Sequence, residues 1–336
     1  MKKRTLAVLL AFLCGFGGAL SAQDFTPVTN DLSSMLGAIG DSIVPYVQQT
    51  VLADDGIGAA SLGKSRFFIG GSLGATFAPG LLGTVSDPAR YQVLDITGLL
   101  NTLVGQVSGG SSSASGYIDT LKTFFPDPDT KFVMGIRTVD GIEVLGTFSI
   151  LPQFLTDFGT GLAKISGVTL NALSAGVRVR KTLLEDSGGY PAISIGVGYT
   201  YASFKAGYTL GSTTPIGSGA YSIDLSSAAI SLGTTLNTAG ADLAISKKLL
   251  IFTPYLRFMP WYSWSTFDSS FGSFNVTIGG QSQSLKASTT SSTQGMSLLV
   301  AGGVEIRLGA VALVPAGSYS ILDNTWSANL STRLQF

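Results

Sequence analysis

The chain contains no histidine, and its single cysteine is Cys14. Those two shortages exclude a His/Cys zinc site, a Ser-His or Cys-His nucleophile, a CxxCH haem attachment and a CxxC redox pair. Charge is scarce too. Only 12% of the residues are Asp, Glu, Lys or Arg, about half the share of an average soluble domain. The 20 basic and 20 acidic residues balance, so no global positive field draws nucleic acid. Glycine is abundant instead, at 43 of 336 residues, and 45% of the chain is apolar. That combination argues against disorder, and the length admits one large domain or two small ones.

The chain begins Met1-Lys2-Lys3-Arg4, turns apolar through Leu6, Val8, Leu9, Leu10, Phe12 and Leu13, and ends this stretch in Gly17, Gly18, Ala19, Leu20, Ser21 and Ala22. A basic start, an apolar centre of about ten residues and a small-residue exit describe a secretory signal peptide over residues 1–22. A membrane anchor fits less well, because the stretch is too short and glycine-broken to cross ~30 Å of hydrocarbon. A lipoprotein reading through Cys14 would place the bulky Leu13 where a small residue is expected. Removing 1–22 takes Lys2, Lys3 and Arg4 with it, leaving 17 basic residues against 20 acidic, a net charge of −3 and no cysteine. No later stretch reaches ~18 apolar residues. So poor a supply of charge suits water badly, and a membrane barrel resolves the conflict, because alternate residues of each strand face lipid without any long apolar run.

The dominant period is two. From Thr325 to Phe336, Trp326, Ala328, Leu330, Thr332, Leu334 and Phe336 share one face, and Thr325, Ser327, Asn329, Ser331, Arg333 and Gln335 share the other. The same alternation marks residues 67–77, 172–180, 192–201, 250–266 and 296–308, with shorter matches at 221–225, 241–245, 274–278 and 311–321. A soluble sandwich would alternate as well, but its outward face should be rich in Lys and Glu; here the second face is Ser, Thr and Gly. Aromatics gather near strand ends, as in Trp261, Tyr262 and Trp264, which fits an interfacial girdle. In 131–138 and 142–150 the apolar faces align only if Val139-Asp140-Gly141 makes a three-residue turn with Gly141 left-handed. The expected fold is an all-β transmembrane antiparallel barrel of about 12–14 strands over residues 61–336.

Residues 23–60 read as a helical N-terminal segment. Asn30 or Asp31 could cap it, and Leu32, Met35, Leu36, Ile39 and Ile43 form a helical stripe that Pro45 breaks or kinks. Either it lies on the periplasmic face or packs in a loop, or it plugs the lumen, where an apolar stripe finds a partner surface. Residues 95–104 and 152–165 are further helical candidates, and 106–116 and 280–293 read as exposed loops.

Little in the sequence supports catalysis. Asp127-Pro128-Asp129 lacks the Gly and distal Glu of a calcium loop and reads as a turn. Gly70-Gly71-Ser72-Leu73-Gly74 lies inside a strand and opens no helix, so it is no dinucleotide loop. Without histidine, the usual proton carrier is missing. No enzyme activity, cofactor or metal is expected. The alternation aims Arg137, Glu143, Arg178, Arg180, Arg257, Glu305, Arg307 and Arg333 inward, as lumen charges in a sparse Ser/Thr/Gly lining.

The terminal Asn329-Leu330-Ser331-Thr332-Arg333-Leu334-Gln335-Phe336 resembles the assembly signal of bacterial outer-membrane barrels. In that likeness Trp326, Leu330, Leu334 and Phe336 are the positions read by the barrel assembly machinery. More weakly, the chain resembles the FadL-like long-chain fatty acid and hydrophobic-compound transporter barrels, and a related group of short barrels. The stretches concerned are the helical N-terminal segment, Gly141–Thr147 followed by Ile150-Leu151-Pro152, and Leu173–Val179 followed by Pro191 and Tyr199. That resemblance implies an outer-membrane location, outer-membrane lipid as a partner and passive uptake of a small hydrophobic ligand through a plugged barrel, with no ligand residue carried over. A general small-solute porin and a non-transport surface barrel, such as an adhesin, are the alternatives.

Overall fold

The computed structural model describes residues 25–52, 58–63, 65–78, 85, 87–94, 125–151, 168–209, 221–224, 226 and 228–336. The expected helices at 95–104 and 152–165 and the loop at 106–116 lie outside these residues.

Among the described residues one α-helix, α1 (Thr26–Leu52), precedes eleven strands: β1 (Phe67–Ala78), β2 (Phe125–Arg137), β3 (Ile142–Leu151), β4 (Val168–Leu184), β5 (Ala192–Thr209), β6 (Tyr221–Asp224), β7 (Ala229–Ser246), β8 (Phe252–Ile278), β9 (Gln281–Leu308), β10 (Val311–Ser320) and β11 (Thr325–Gln335). Every pairing is antiparallel. Ten strands follow one another around a ring, β1 to β5 and then β7 to β11, and the pairing of β1 with β11 closes it. β6 stands outside the ring, on the far end of β8.

Ten strands close the barrel where about 12–14 are expected, and the reason is strand length. β8 and β9 run for 27 and 28 residues, against the roughly 9–11 that cross a bilayer. The separate matches at 250–266 and 274–278 are one strand, 241–245 is the end of β7, and 221–225 is β6. The Ser/Thr/Gln-rich stretch 280–293, expected as a loop, is the distal half of β9. Asp127-Pro128-Asp129, expected as a turn, pairs with β1 inside β2. Its prolines are tolerated because β3 begins to pair only at Phe132, which leaves that edge of β2 without ladder bonds to lose.

The outer and inner faces follow the period-two pattern. Along β8, Phe252, Leu256, Phe258, Tyr262 and Trp264 are exposed, while Tyr255, Arg257, Met259, Trp261, Ser263, Ser265, Phe267, Ser269 and Phe271 are buried. A bulge between Phe271 and Phe274 then shifts the phase by one residue, turning Phe274 and Val276 inward. The turn at 138–142 has the three-residue form: Thr138 N donates to Ile142 O at 2.8 Å, and Gly141 takes φ 72°.

The two rims differ. One carries the short turns at 138–141, 185–191, 247–251 and 309–310, together with Phe67 and Phe336. The other, the long-loop rim, is where the strand ends joined in sequence by 79–124, 152–167 and 210–228 lie, with the turn 321–324 and the projecting β8–β9 hairpin. At the short-turn rim the chain seals its own seam: Phe336 O accepts Arg66 N at 2.7 Å and Phe67 N at 3.2 Å, and Phe336 N donates to Phe67 O at 2.9 Å.

Candidate functional site

The helix starts at Thr26, with Pro27 in its first turn, where a missing N–H costs nothing. It starts earlier than the caps Asn30 and Asp31 would place it and runs unbroken through Pro45. A proline inside a helix costs about 3 kcal/mol, and the barrel wall supplies the contacts that offset it. At 27 residues the helix is about 40 Å long, enough to run from rim to rim.

It occupies the lumen. Tyr46, Val47, Gln48 and Gln49 are all buried, and four consecutive residues at about 100° each cover every side of a helix. Inward side chains of the wall meet it. Gln49 Nε2 donates to Ser318 Oγ at 3.0 Å, Ser263 Oγ to Gln48 Oε1 at 3.0 Å, and Lys131 Nζ to the carbonyl of Thr50 at 2.7 Å. The last of these places a cation on the negative end of the helix dipole.

Polarity changes along the axis. Toward the long-loop rim, Val28, Leu32, Met35, Leu36 and Ala38 pack with Val85, Leu94, Ile223, Phe271, Phe274, Val276 and Ala287 in one apolar cluster. Here Asp31 faces a loop instead of capping the helix: its carboxylate accepts the backbone N–H of Gln92, Val93 and Leu94 at 2.8–2.9 Å. Gly40 admits the wall, since a Cβ there would lie 2.3 Å from the Phe267 ring.

Toward the short-turn rim the lining is charged. Glu143 is held by Arg180, whose Nε donates at 2.7 Å, with Arg137 at 3.9 Å. Asp242 is held by Arg257, Nε at 3.2 Å, with Arg178 at 3.5 Å. Glu305 is held by Arg307, Nη2 at 2.7 Å, and by Arg333. Arg178 reaches Asp242 across β5, where Gly196 and Gly198 lie between β4 and β7. These groups grip the segment that joins helix to barrel. Ala59 N donates to Glu305 Oε2 at 3.3 Å, Leu62 N to Glu143 Oε1 at 2.9 Å and Ala60 N to Ser246 Oγ at 2.9 Å, while Arg180 Nη1 donates to Ala59 O at 3.0 Å. Arg137 reaches Ser61 Oγ at 3.1 Å. Residues 58–63 thus form a strap across the short-turn mouth, beside a cavity of about 560 Å³ lined by Arg137, Glu185, Lys248 and Arg307 among others.

All the arginines and glutamates that the alternation aims inward lie on the lumenal side, gathered into these three groups. Sequence reasoning missed Asp242 and Lys131. Asp242 was legible, since Leu243 and Ile245 alternate with it and point outward. The terminal positions Trp326, Leu330, Leu334 and Phe336 are exposed on the outer face, with Trp326 stacked on Phe77 at 3.9 Å between ring centroids. Among the described residues no cluster of His, Cys, Asp and Glu could hold a metal, and no helix is long and apolar enough to cross a membrane.

No family model matches this sequence, and no curated protein matches it closely. Among solved structures it is similar to the outer membrane protease OmpT from Escherichia coli, at 10% identity over 82% of this chain and 98% of that one, with a TM-score of 0.41. It is also similar to the translocator domain of the autotransporter NalP from Neisseria meningitidis, at 9% identity over 92% and 99% of the two chains, with a TM-score of 0.39. A third is Ail, the attachment invasion locus protein of Yersinia pestis, at 11% identity over 81% and 97%, with a TM-score of 0.24. At such identity and overlap these likenesses carry nothing about activity, and they lend no support to the fatty-acid-transporter resemblance.

Proposed function

We propose that the chain is a bacterial outer-membrane barrel, closed at rest by its own helix, that lets small solutes pass when the helix leaves the lumen. Support for the membrane comes from the outer face. Phe77, Tyr199, Tyr201, Tyr262, Trp264, Tyr319 and Trp326 ring one level, and Phe67, Phe252 and Phe336 ring another. Between Phe67 and Phe77 the chain rises about 34 Å along the strand. At a tilt of roughly 40–45° that is an apolar band about 25 Å tall, the height of an outer-membrane belt. Short turns then face the periplasm and long loops the exterior. Phe336, directly after the last strand and against Phe67, would be read by the assembly machinery, and the leader at 1–22 would carry the chain to export. A sequence without histidine fits a non-catalytic barrel.

The observation that carries the reading is the lumen filled by Tyr46–Gln49, which fits a gated conduit better than a steadily open general porin. A hydrophobic solute has one supporting feature, the apolar cluster around Leu32 and Phe271; the short-turn half of the path is Arg, Ser and Thr. Planar-bilayer recording tests the gate. The mature chain should conduct rarely, and the chain lacking 25–52, shown folded by its heat-sensitive migration in detergent gels, should conduct steadily. Equal conductance of the two would show that the helix gates nothing.

A further inference from the structure

Arg178, Gly198, Gly240 and Trp261 stand side by side on β4, β5, β7 and β8. The indole of Trp261 lies along the wall over the two glycines. A Cβ at Gly240 would sit 2.7 Å from the ring and one at Gly198 3.0 Å from it, so glycine at both positions makes the bed for the ring. The Arg178 guanidinium stands 5.8 Å from the ring centre, and Leu52, the last residue of the helix, packs against the same tryptophan. The next row toward the long-loop rim is Thr147, Gly176, Thr200, Thr238 and Ser263. Gly176 leaves space for two hydroxyls, since a Cβ there would lie 2.6 Å from Thr147 Oγ1 and 2.8 Å from Thr200 Oγ1. A cavity of about 10 Å³, room for one water, is lined by Thr147, Thr200 and Trp261 among others. Toward the short turns, Asp242 is held by Arg178 and Arg257. Among the described residues, Trp261 Nε1 and Asp242 Oδ1 are buried without a hydrogen-bond partner. A buried indole N–H ordinarily finds an acceptor, and leaving a buried polar atom unpaired is costly.

We infer that Trp261 is the platform of a binding site for a neutral polyhydroxylated solute, a sugar or sugar alcohol, which Leu52 covers while the helix fills the lumen. The inference rests on the gating reading and names the class of solute that the gate serves. A sugar ring has an apolar face of C–H groups and a rim of hydroxyls. The C–H face suits the electron-rich face of an indole. The rim needs donors and acceptors around that platform, and the hydroxyls of Thr147 and Thr200, the indole N–H and Asp242 Oδ1 supply both. An aromatic floor with a few convergent polar groups is the usual build of a small-molecule site. The charges at this level already face one another, Arg178 and Arg257 against Asp242, so the site asks for no charge on the solute. A purely apolar solute would leave Asp242 Oδ1 and the indole N–H as unpaired as before. With the helix in place there is room for a water; departure of Leu52 uncovers the ring.

The experiment records openings of the full mature chain in a planar bilayer, made frequent by Gly40→Leu, a side chain for which Phe267 leaves no room. The probe is sucrose, compared with a polyethylene glycol of the same mass. Sucrose should interrupt the open current in proportion to its concentration, and the glycol should not. Trp261→Ala should weaken that block roughly tenfold, as loss of a buried aromatic anchor does, and Trp261→Tyr should restore most of it. Thr147→Val with Thr200→Val removes the hydroxyls and keeps the bulk. It should weaken the block roughly threefold, and it decides the matter where Trp261→Ala does not fold. Open channels that sucrose leaves uninterrupted, or a block unchanged in the variants that fold, overturn the platform and leave the gate intact. Chains that fold and never open overturn the gating reading, and the platform falls with it.

Discussion

Glu143 on β3 and Arg180 on β4 stand opposite each other in register, both fully buried, and each also grips the strap, Glu143 at Leu62 N–H and Arg180 at the Ala59 carbonyl. The pair therefore joins wall to strap as well as strand to strand. Glu143→Ala removes the carboxylate and leaves the Arg180 charge in a dry interior, a change that costs about 3–5 kcal/mol in buried pairs. The temperature at which the folded band converts to the unfolded one in detergent gels should drop, and the amides of 59–62 should exchange faster. Glu143→Leu with Arg180→Met should recover most of the stability but not the slow exchange. An unchanged conversion temperature in Glu143→Ala would mean the pair is not structural.

Asp31 ties the helix to the loop above it through three backbone N–H groups. Hydrogen bonds to a charged acceptor are worth about 1.5–3 kcal/mol each way they are lost. Asp31→Ala should free residues 91–94, so that a protease added outside folded protein cuts there faster than in the unaltered chain. Equal cutting rates would place the hold elsewhere, in the packing of Val85 and Leu94.

Two helix glycines should respond in opposite directions. A Cβ at Gly37 meets nothing within 4 Å, whereas at Gly40 it meets Phe267 at 2.3 Å. Gly37→Ala should stabilise by about 0.5–1 kcal/mol through helix propensity. Gly40→Ala should destabilise by about 1–3 kcal/mol through overpacking. Conversion temperatures in detergent decide it, and a shift of the same sign in both would mean the helix is not seated against Phe267.

Much of this architecture was legible in the sequence, because a strand with lipid on one side and lumen on the other must alternate. Val177, Val179, Ile195 and Val197 declare the outer face, and Arg178 and Arg180 follow onto the inner one. The distal half of β9 was not legible for the same reason. Beyond the membrane neither face needs to be apolar, so Ser282–Gln294 alternates in nothing that hydropathy detects. The bulge after Phe271 hides Phe274 and Val276 on the inner face while their spacing continues that of Phe258 and Tyr262. Asp31 was read as a cap because its partners lie 61–63 residues away, and local pattern carries no long-range hydrogen bond. The pairing of each carboxylate with two arginines depends on strand neighbours, above all on β5 being followed around the ring by β7 and not β6.

Asp186, in the short turn 185–191, makes the short-turn rim sensitive to acid. Burial would raise its carboxyl pKa, but the Lys248 backbone N–H and the Lys247 ammonium at 3.1 Å outweigh that and hold it below the usual range. A carboxyl whose folded value is lowered contributes stability in full above its unfolded value of about 3.9, and that contribution drains as pH falls through the lower folded value. Hydrogen exchange at 186–190 and 247–250 should therefore accelerate as pH is lowered through that window, after correction for intrinsic rates. Asp186→Asn should be faster at neutral pH and flat across the window. An Asn variant with the same pH profile would assign the effect to another group.

The direction of the helix sets which rim its first turn faces. Phe25 packs with the cluster that holds Phe271 and Phe274, near the projecting β8–β9 hairpin, while Leu52 packs with Met259, Trp261, Leu299 and Ala301, closer to the short turns. The strap then crosses the short-turn mouth and feeds β1 at Phe67. The helix thus descends the lumen from the long-loop rim, and in the proposed orientation, with short turns in the periplasm, its first turn at Thr26 is the end nearer the exterior. An epitope inserted just before Phe25 should be bound by antibody on intact cells, and one inserted in the turn 185–191 only after the outer membrane is breached. Binding in the opposite order would invert the barrel. Binding of neither on intact cells would place the helix start beneath the loops, and would show that the apolar cluster around Leu32 and Phe274 is a lid over the chain's entry point.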